Sequence, residues 1–228
     1  INMRKILQYN LTTAFDVTSA TLEKETATIQ QQQNQPQDVK FNSDGTVIFI
    51  LGMGTAGSGG DAVDGIHRWS LSTPYDIGSL VVTDNDFTDL GVSIPRGLAF
   101  NNDGTKMFVI NQATKLVTEY NLSTPYNPDT KTATNTLTNT TSGGQYHQGL
   151  GFNADGTKMF VVKGSNGDTG DQIDEYALST AFDISSSSAT LTGTVSPTFP
   201  TVNIHQRISG IAFNSSGTKM YHLDWHTG

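Results

Sequence analysis

The chain has 228 residues, 35% hydrophobic and 15% charged, with a net charge of −8, 23 glycines and no cysteine. The acidic balance excludes nucleic acid or an anionic membrane as main partner, since both need a basic footprint, and no window approaches the roughly 18 to 20 apolar residues of a spanning helix. Without cysteine there is no disulfide framework, thiolate nucleophile or Cys-ligated zinc. The excess of Thr, Ser, Asn and Gly is a strand-and-turn composition.

Two phrases alternate along the chain. The first met is "QYNLTTAFDV" (from Gln8), which returns as "RWSLSTPYDI" (from Arg68), "EYNLSTPYNP" (from Glu119) and "EYALSTAFDI" (from Glu175). The other is "FNSDGTVIFIL" (from Phe41), which returns as "FNNDGTKMFVI" (from Phe100), "FNADGTKMFVV" (from Phe152) and "FNSSGTKMYHL" (from Phe213). Phenylalanines at 41, 100, 152 and 213 are 59, 52 and 61 residues apart; aromatics at 9, 69, 120 and 176 are 60, 51 and 56 apart. Two phrases sharing one period define a repeat, which governs every later inference about the fold.

Each repeat predicts four strands, A to D. In "RGLAF" (Arg96 to Phe100), strand A, Leu98 and Phe100 alternate with small Gly97 and Ala99. Small residues let an innermost strand approach its neighbours. Asn-x-Asp-Gly-Thr follows as a hairpin, with Gly104 free to take positive φ and Asp103 able to bond nearby backbone. Strand B, "KMFVI", is apolar on both faces, as a strand sandwiched between two sheets must be. Strand C carries Tyr120 and Leu122 on one buried face and ends in the turn "STPY". Strand D, "TATNTLT" (Thr132 to Thr138) or "SATLTGT" (Ser188 to Thr194), is polar and outermost.

Four-stranded antiparallel sheets at this period are β-propeller blades. A solenoid is the alternative, but the small-residue inner strand favours radial packing. The motif Phe-Asn-x-Asp-Gly-Thr-Lys-Met-Phe-Val also resembles the bacterial and phage propeller repeats of the YVTN and NHL kind, over essentially the whole chain. That resemblance implies a fold which hosts lectins, adhesins, scaffolds and lactonases alike.

The chain opens on strands C and D and closes on A and B. The expectation is therefore a single all-β domain, 1–228, a β-propeller of four blades of four antiparallel strands. Its repeats run approximately 36–95, 96–147, 148–207, and 208–228 completed by 1–35. One blade is closed by both termini, with C and D from the N-terminus and A and B from the C-terminus. The competing expectation is a slice of a larger ring or array, whose open half-blades clasp between molecules.

The resemblance places function on the face built by the D–A and B–C loops, which here vary while the A–B hairpins stay nearly constant. Arg96, His147, His205 and Arg207 at the starts of strands A are the ligand-binding candidates, suited to a sugar or an anion; capping loops or pairing with Asp is the plainer reading. Asp61 and Asp64 precede Trp69 by 8 and 5 residues, and Asp168 and Asp171 precede Tyr176 by the same 8 and 5. Carboxylates on Gly-rich loops can wrap Ca²⁺, which takes six to eight oxygens, although turn-forming and solubility roles explain them equally. The strand C aromatics, with Phe15, Tyr75, Tyr126 and Phe182 after them, are expected to pack blade against blade rather than stack on sugars. No G-x-S-x-G elbow, zinc signature or phosphate loop is present.

The leading expectation is a non-enzymatic binding or adhesion module for a carbohydrate or surface protein, extracellular, on a cell surface or on a virion. A lactonase-like metal-dependent hydrolase is the alternative. Its metal would sit over Gln37, Arg96, Gln148 and Ser209, a poor ligand set. A structural spacer in a longer surface or phage protein is the third reading.

Overall fold

The computed structural model describes residues 5–14, 16–29, 35–54, 64–80, 86–138, 146–164, 170–197 and 206–226. Strands occupy the predicted places. Three sheets have four antiparallel strands each, paired in sequence order A-B-C-D. The first comprises β3 (Gln35–Phe41), β4 (Val47–Met53), β5 (Gly65–Ser70) and β6 (Asp86–Asp89). The second comprises β7 (Pro95–Phe100), β8 (Lys106–Asn111), β9 (Leu116–Leu122) and β10 (Lys131–Thr138). The third comprises β11 (Tyr146–Phe152), β12 (Lys158–Gly164), β13 (Gln172–Leu178) and β14 (Ala189–Val195). At the ends stand two hairpins, β1 (Leu7–Leu11) with β2 (Ala20–Glu25), and β15 (Gln206–Phe213) with β16 (Met220–His226).

Among the described residues the sheets therefore number five rather than four. The terminal half-blades, expected to merge into one sheet, form separate two-stranded ladders. Each is an antiparallel ladder hydrogen-bonded within itself. Two compact units divide the chain, Ile1–Val92 and Ser93–Gly228.

The hairpin chemistry is as the sequence implies. Gly45, Gly104, Gly156 and Gly217 all take positive φ, between 69° and 73°. Beside Gly104, the Asp103 carboxylate accepts from the Thr105 N–H at 2.9 Å and from its hydroxyl at 2.6 Å, which holds the acid below its ordinary range. Ser216 replaces this Asp in the last hairpin and bonds the Thr218 hydroxyl instead.

Strand B forms the core of each complete sheet. Ile48 to Leu51 and Met107 to Ile110 are almost fully buried. In β12 the alternation separates two cores. Met159 and Val161 join Phe108, Ile110 and Leu150 on one side, while Phe160 and Val162 join Ile173 and Ile208 on the other. A strand apolar on both faces is thus a strand with a sheet on either side, and each large side chain buried there contributes about 1.5–3 kcal/mol. Strand D is the exposed outer strand.

The aromatics divide in two. Trp69, Tyr120 and Tyr176 on strand C are at most 6% exposed, as expected of packing residues, whereas Tyr9 on the two-stranded β1–β2 ladder is 52% exposed. The aromatics of the following turn add a contact the sequence did not suggest. Tyr75, Tyr126 and Phe182, themselves at positive φ, fold back onto the hairpin of their own sheet. The Tyr126 N–H donates to the Gly104 carbonyl at 2.8 Å, and its ring lies where a Cβ on Gly104 would be, 2.2 Å from the nearest ring atom. Its hydroxyl donates to the Asn102 carbonyl. Phe182 also reaches a neighbouring sheet, at Phe108, 6.5 Å between centroids. Phe15 lies outside the described residues.

Candidate functional site

Every strand A carries a bulge at one position. The A–B register slips between Pro36 and Asp38, Pro95 and Gly97, His147 and Gly149, and Ile208 and Gly210. The positions passed over in the register are Gln37, Arg96, Gln148 and Ser209, the four over which the hydrolase alternative would set its metal. A bulge frees one residue from pairing and re-aims its side chain, which is why bulges gather beside functional sites. The hydrophobic pattern does not reveal it, since the slip lies before the alternating stretch begins.

Within the Ser93–Gly228 unit the inner strands approach closely beside these bulges. A Cβ on Gly97 would stand 3.0 Å from the Gly149 Cα and the Leu150 nitrogen, and one on Gly149 would stand 2.8 Å from the Ser209 carbonyl oxygen. Only glycine lets the backbones come so near. Arg96, Gln148 and Ser209 thus sit on adjacent inner strands. The Arg96 Nε donates to the Gln112 side-chain oxygen at 2.5 Å, tying the guanidinium to the B–C loop. Gln148 is 5% exposed.

His147 precedes Gln148 on β11. It is 2% exposed, and neither imidazole nitrogen has a hydrogen-bond partner. Burial depresses its pKa to about 4, assisted by the cations Lys163 and Lys115 and opposed by Asp174. Lys163 and Asp174 form an ion pair of 2.6 Å, with both side chains at most 1% exposed. Asp174 also accepts from the Thr194 hydroxyl at 2.7 Å. Sequence reasoning missed this pair, although a lysine breaking the apolar run of β12 was its signal.

Of the other candidates, Arg207 lies in β15 opposite Trp225, and His205 falls outside the described residues. Asp61 and Asp168 also fall outside them. Asp64 accepts from the Gly54 N–H at 2.9 Å, and Asp171, 4% exposed, accepts from the Ile208 N–H at 2.9 Å. Both carboxylates therefore spend an oxygen on the main chain, Asp171 tying the start of β15 to the third sheet. Among the described residues no three His, Asp or Glu side chains gather closely enough to hold a metal. The bulge positions supply amides, a guanidinium and a hydroxyl, a set that donates and accepts hydrogen bonds.

No family model and no curated protein sequence matches the chain. Similar solved structures include a luciferin-regenerating enzyme, with a TM-score of 0.57 and 18% identity over 96% of this chain and 63% of that one. The periplasmic gluconolactonase of Pseudomonas aeruginosa gives a TM-score of 0.53 and 11% identity over 99% of this chain and 77% of that one. A nidogen/laminin complex gives 0.61 and 12% over 98% of this chain and 68% of that one. The chain thus spans less than two thirds of the first of these. At such identities the likeness is one of fold, all-β and propeller-like.

Proposed function

We propose that the chain is a non-enzymatic recognition module, taking a carbohydrate or a surface protein outside the cell or on a virion. One observation carries this reading: a register bulge recurs at the same place in all four strands A, and Gln37, Arg96, Gln148 and Ser209 set a polar residue there each time. Amides and a guanidinium suit the hydroxyls of a sugar and any acidic group upon it. Arg96 heads this set, with His205 and Arg207 at the equivalent end of the last repeat. His147, the fourth candidate, is buried at 2% exposure.

The metal-dependent hydrolase has no comparable support, since none of the four bulge residues is a carboxylate. Calcium enters only through Asp61, Asp64, Asp168 and Asp171, and a bound ion would stabilise the fold by mass action. A melting midpoint unchanged by EDTA removes them as ligands. The reading presupposes one domain of four blades, in which β1–β2 supplies strands C and D to β15–β16, within one chain or between two.

The test is a glycan array probed with the wild-type chain and Arg96→Ala, with and without EDTA. Binding to one sugar class that falls at least about tenfold in Arg96→Ala supports the proposal, a tenfold loss being about 1.4 kcal/mol. Absence of binding to any sugar or extracellular protein moves the reading to a spacer.

A further inference from the structure

Within the Ser93–Gly228 unit, one sheet seats the C–D turn of the next by a definite set of contacts. The Phe182 ring lies 5.2 Å from Phe152 and 6.5 Å from Phe108, over Gly156, where a Cβ would stand 2.1 Å from it. Lys106 Nζ donates to Glu119 Oε1 and to the Phe182 carbonyl, both at 2.8 Å. Glu119 Oε2 accepts from the Ile184 N–H at 3.1 Å. An aromatic–Asp–aliphatic turn is thus held by a ring seat, a cation on its carbonyl and an acceptor on the N–H two residues later. The Ile1–Val92 unit repeats the last contact, Gln8 Oε1 accepting from the Ile77 N–H at 3.0 Å.

One repeat further on the same seat is built and open. A cavity of about 660 Å³ is lined by Phe160, Phe213 and Gly217, the counterparts of Phe108, Phe152 and Gly156, and by Lys158 and Glu175, the counterparts of Lys106 and Glu119. The Phe160 and Phe213 rings are 4.4 Å apart, as Phe108 and Phe152 are 4.6 Å apart. Lys158 reaches Glu175 at 2.8 Å, the distance of its counterpart pair. Glu175 is 35% exposed where Glu119 is 2% exposed, and nothing lies within 4 Å of a Cβ placed on Gly217.

We propose that this cavity is a socket for the turn Phe15-Asp16-Val17 of a second copy of the chain. The chain has four turns of this type, and Tyr75, Tyr126 and Phe182 each already cover the glycine of their own hairpin. Phe15 is the aromatic left by sequence. Two residues on, Val17 supplies an N–H that Glu175 can accept, whereas Pro128 at the same place in the Tyr126 turn has none. The sequence matches acceptor to donor: the repeat preceding Pro128 carries Arg68, which pairs with Asp86, where the others have Gln8, Glu119 and Glu175.

A second copy is the occupant because both half-sheets leave apolar side chains uncovered. Tyr9 and Leu22 on the first are 52% and 56% exposed, and Met220 and Tyr221 on the last are 40% and 46% exposed. Each copy offers one turn and one socket, so the contact runs head to tail. It goes beyond the ligand-binding proposal and is read without any ligand.

Sedimentation equilibrium over a concentration series tests it. The wild-type mass is expected to rise above one chain, while Phe15→Ala (turn broken) and Glu175→Ala (socket broken) each stay at one. Mixed one to one, the two variants form a two-chain complex, since one intact turn meets one intact socket. That recovery also shows both variants are folded. Val17→Pro removes the donated N–H and weakens association about tenfold or more, and Glu175→Gln, still an acceptor, weakens it less. A wild-type chain that stays at one-chain mass throughout, even by seating its own turn, overturns the proposal. So does a Phe15→Ala variant that associates like wild type, or a failure of the mixture to pair when circular dichroism shows both variants folded.

Discussion

Placing a methyl group on Gly156 tests the lock between each C–D turn and its hairpin. Gly156 has φ of 72°, and its new Cβ would stand 2.1 Å from the Phe182 ring. An L-residue in the left-handed region costs roughly 1–2 kcal/mol. The contact cannot be relieved by a small shift, so the ring must leave a site where it is 8% exposed, forfeiting about another 1.5–3 kcal/mol of burial. Gly156→Ala is therefore expected to cost about 3–5 kcal/mol. Gly217→Ala supplies the internal control, since its φ is 69° but its Cβ would meet nothing within 4 Å, leaving only the roughly 1–2 kcal/mol of backbone strain. Urea denaturation in dilute protein measures both, with a midpoint loss at unchanged slope reporting stability alone. Equal losses in the two variants, or a Gly156→Ala cost no greater than the strain, would refute the aromatic lock.

Other expectations follow from the buried polar groups. Folding depresses the His147 pKa from 6.5 to about 4, so the unfolded chain binds the extra proton between those values. Stability contributed by neutral His147 is complete above about pH 6.5 and is lost as pH falls toward 4, by about 3 kcal/mol; His147→Leu should flatten that part of a stability-against-pH curve. Asp174→Asn leaves the Lys163 ammonium buried without its carboxylate and is expected to cost about 3–5 kcal/mol, by chemical denaturation. A Lys163→Met/Asp174→Leu double variant should recover most of that loss. Glu119→Ala strips acceptors from Lys106, Asn135 and the Ile184 N–H and should cost about 2–3 kcal/mol, with Glu119→Gln milder.

The repeat made most of the local structure legible. Asp-Gly-Thr names a hairpin because glycine alone takes its positive φ cheaply, and the unbroken apolar run after it names a strand covered on both faces. The period then yields sheets of four strands in the order A to D, as the three complete sheets show. Polar sites were less legible. Arg96 and Gln148 drew notice as loop-end residues, but a bulge is a relation between two strands and leaves no mark on either alone. His147 looked like a ligand-facing cation and is buried, and the charges that act on it, Lys163 and Asp174, follow it by 16 and 27 residues.

The turn aromatics teach the same lesson. Sequence establishes that an aromatic recurs after each Ser-Thr-Pro or Ser-Thr-Ala, and its size implies packing. Which surface it packs on is a choice between nearby partners, and the left-handed backbone at Tyr75, Tyr126 and Phe182 turns the ring toward its own hairpin glycine. Strand identity and turn type were thus determined by residues close together in sequence, where propensity and periodicity act. Bulge register, the burial of His147, the Lys163–Asp174 ion pair and the open seat beside Glu175 were decided by tertiary structure, because each depends on the distance between strands that the chain brings together only when it folds.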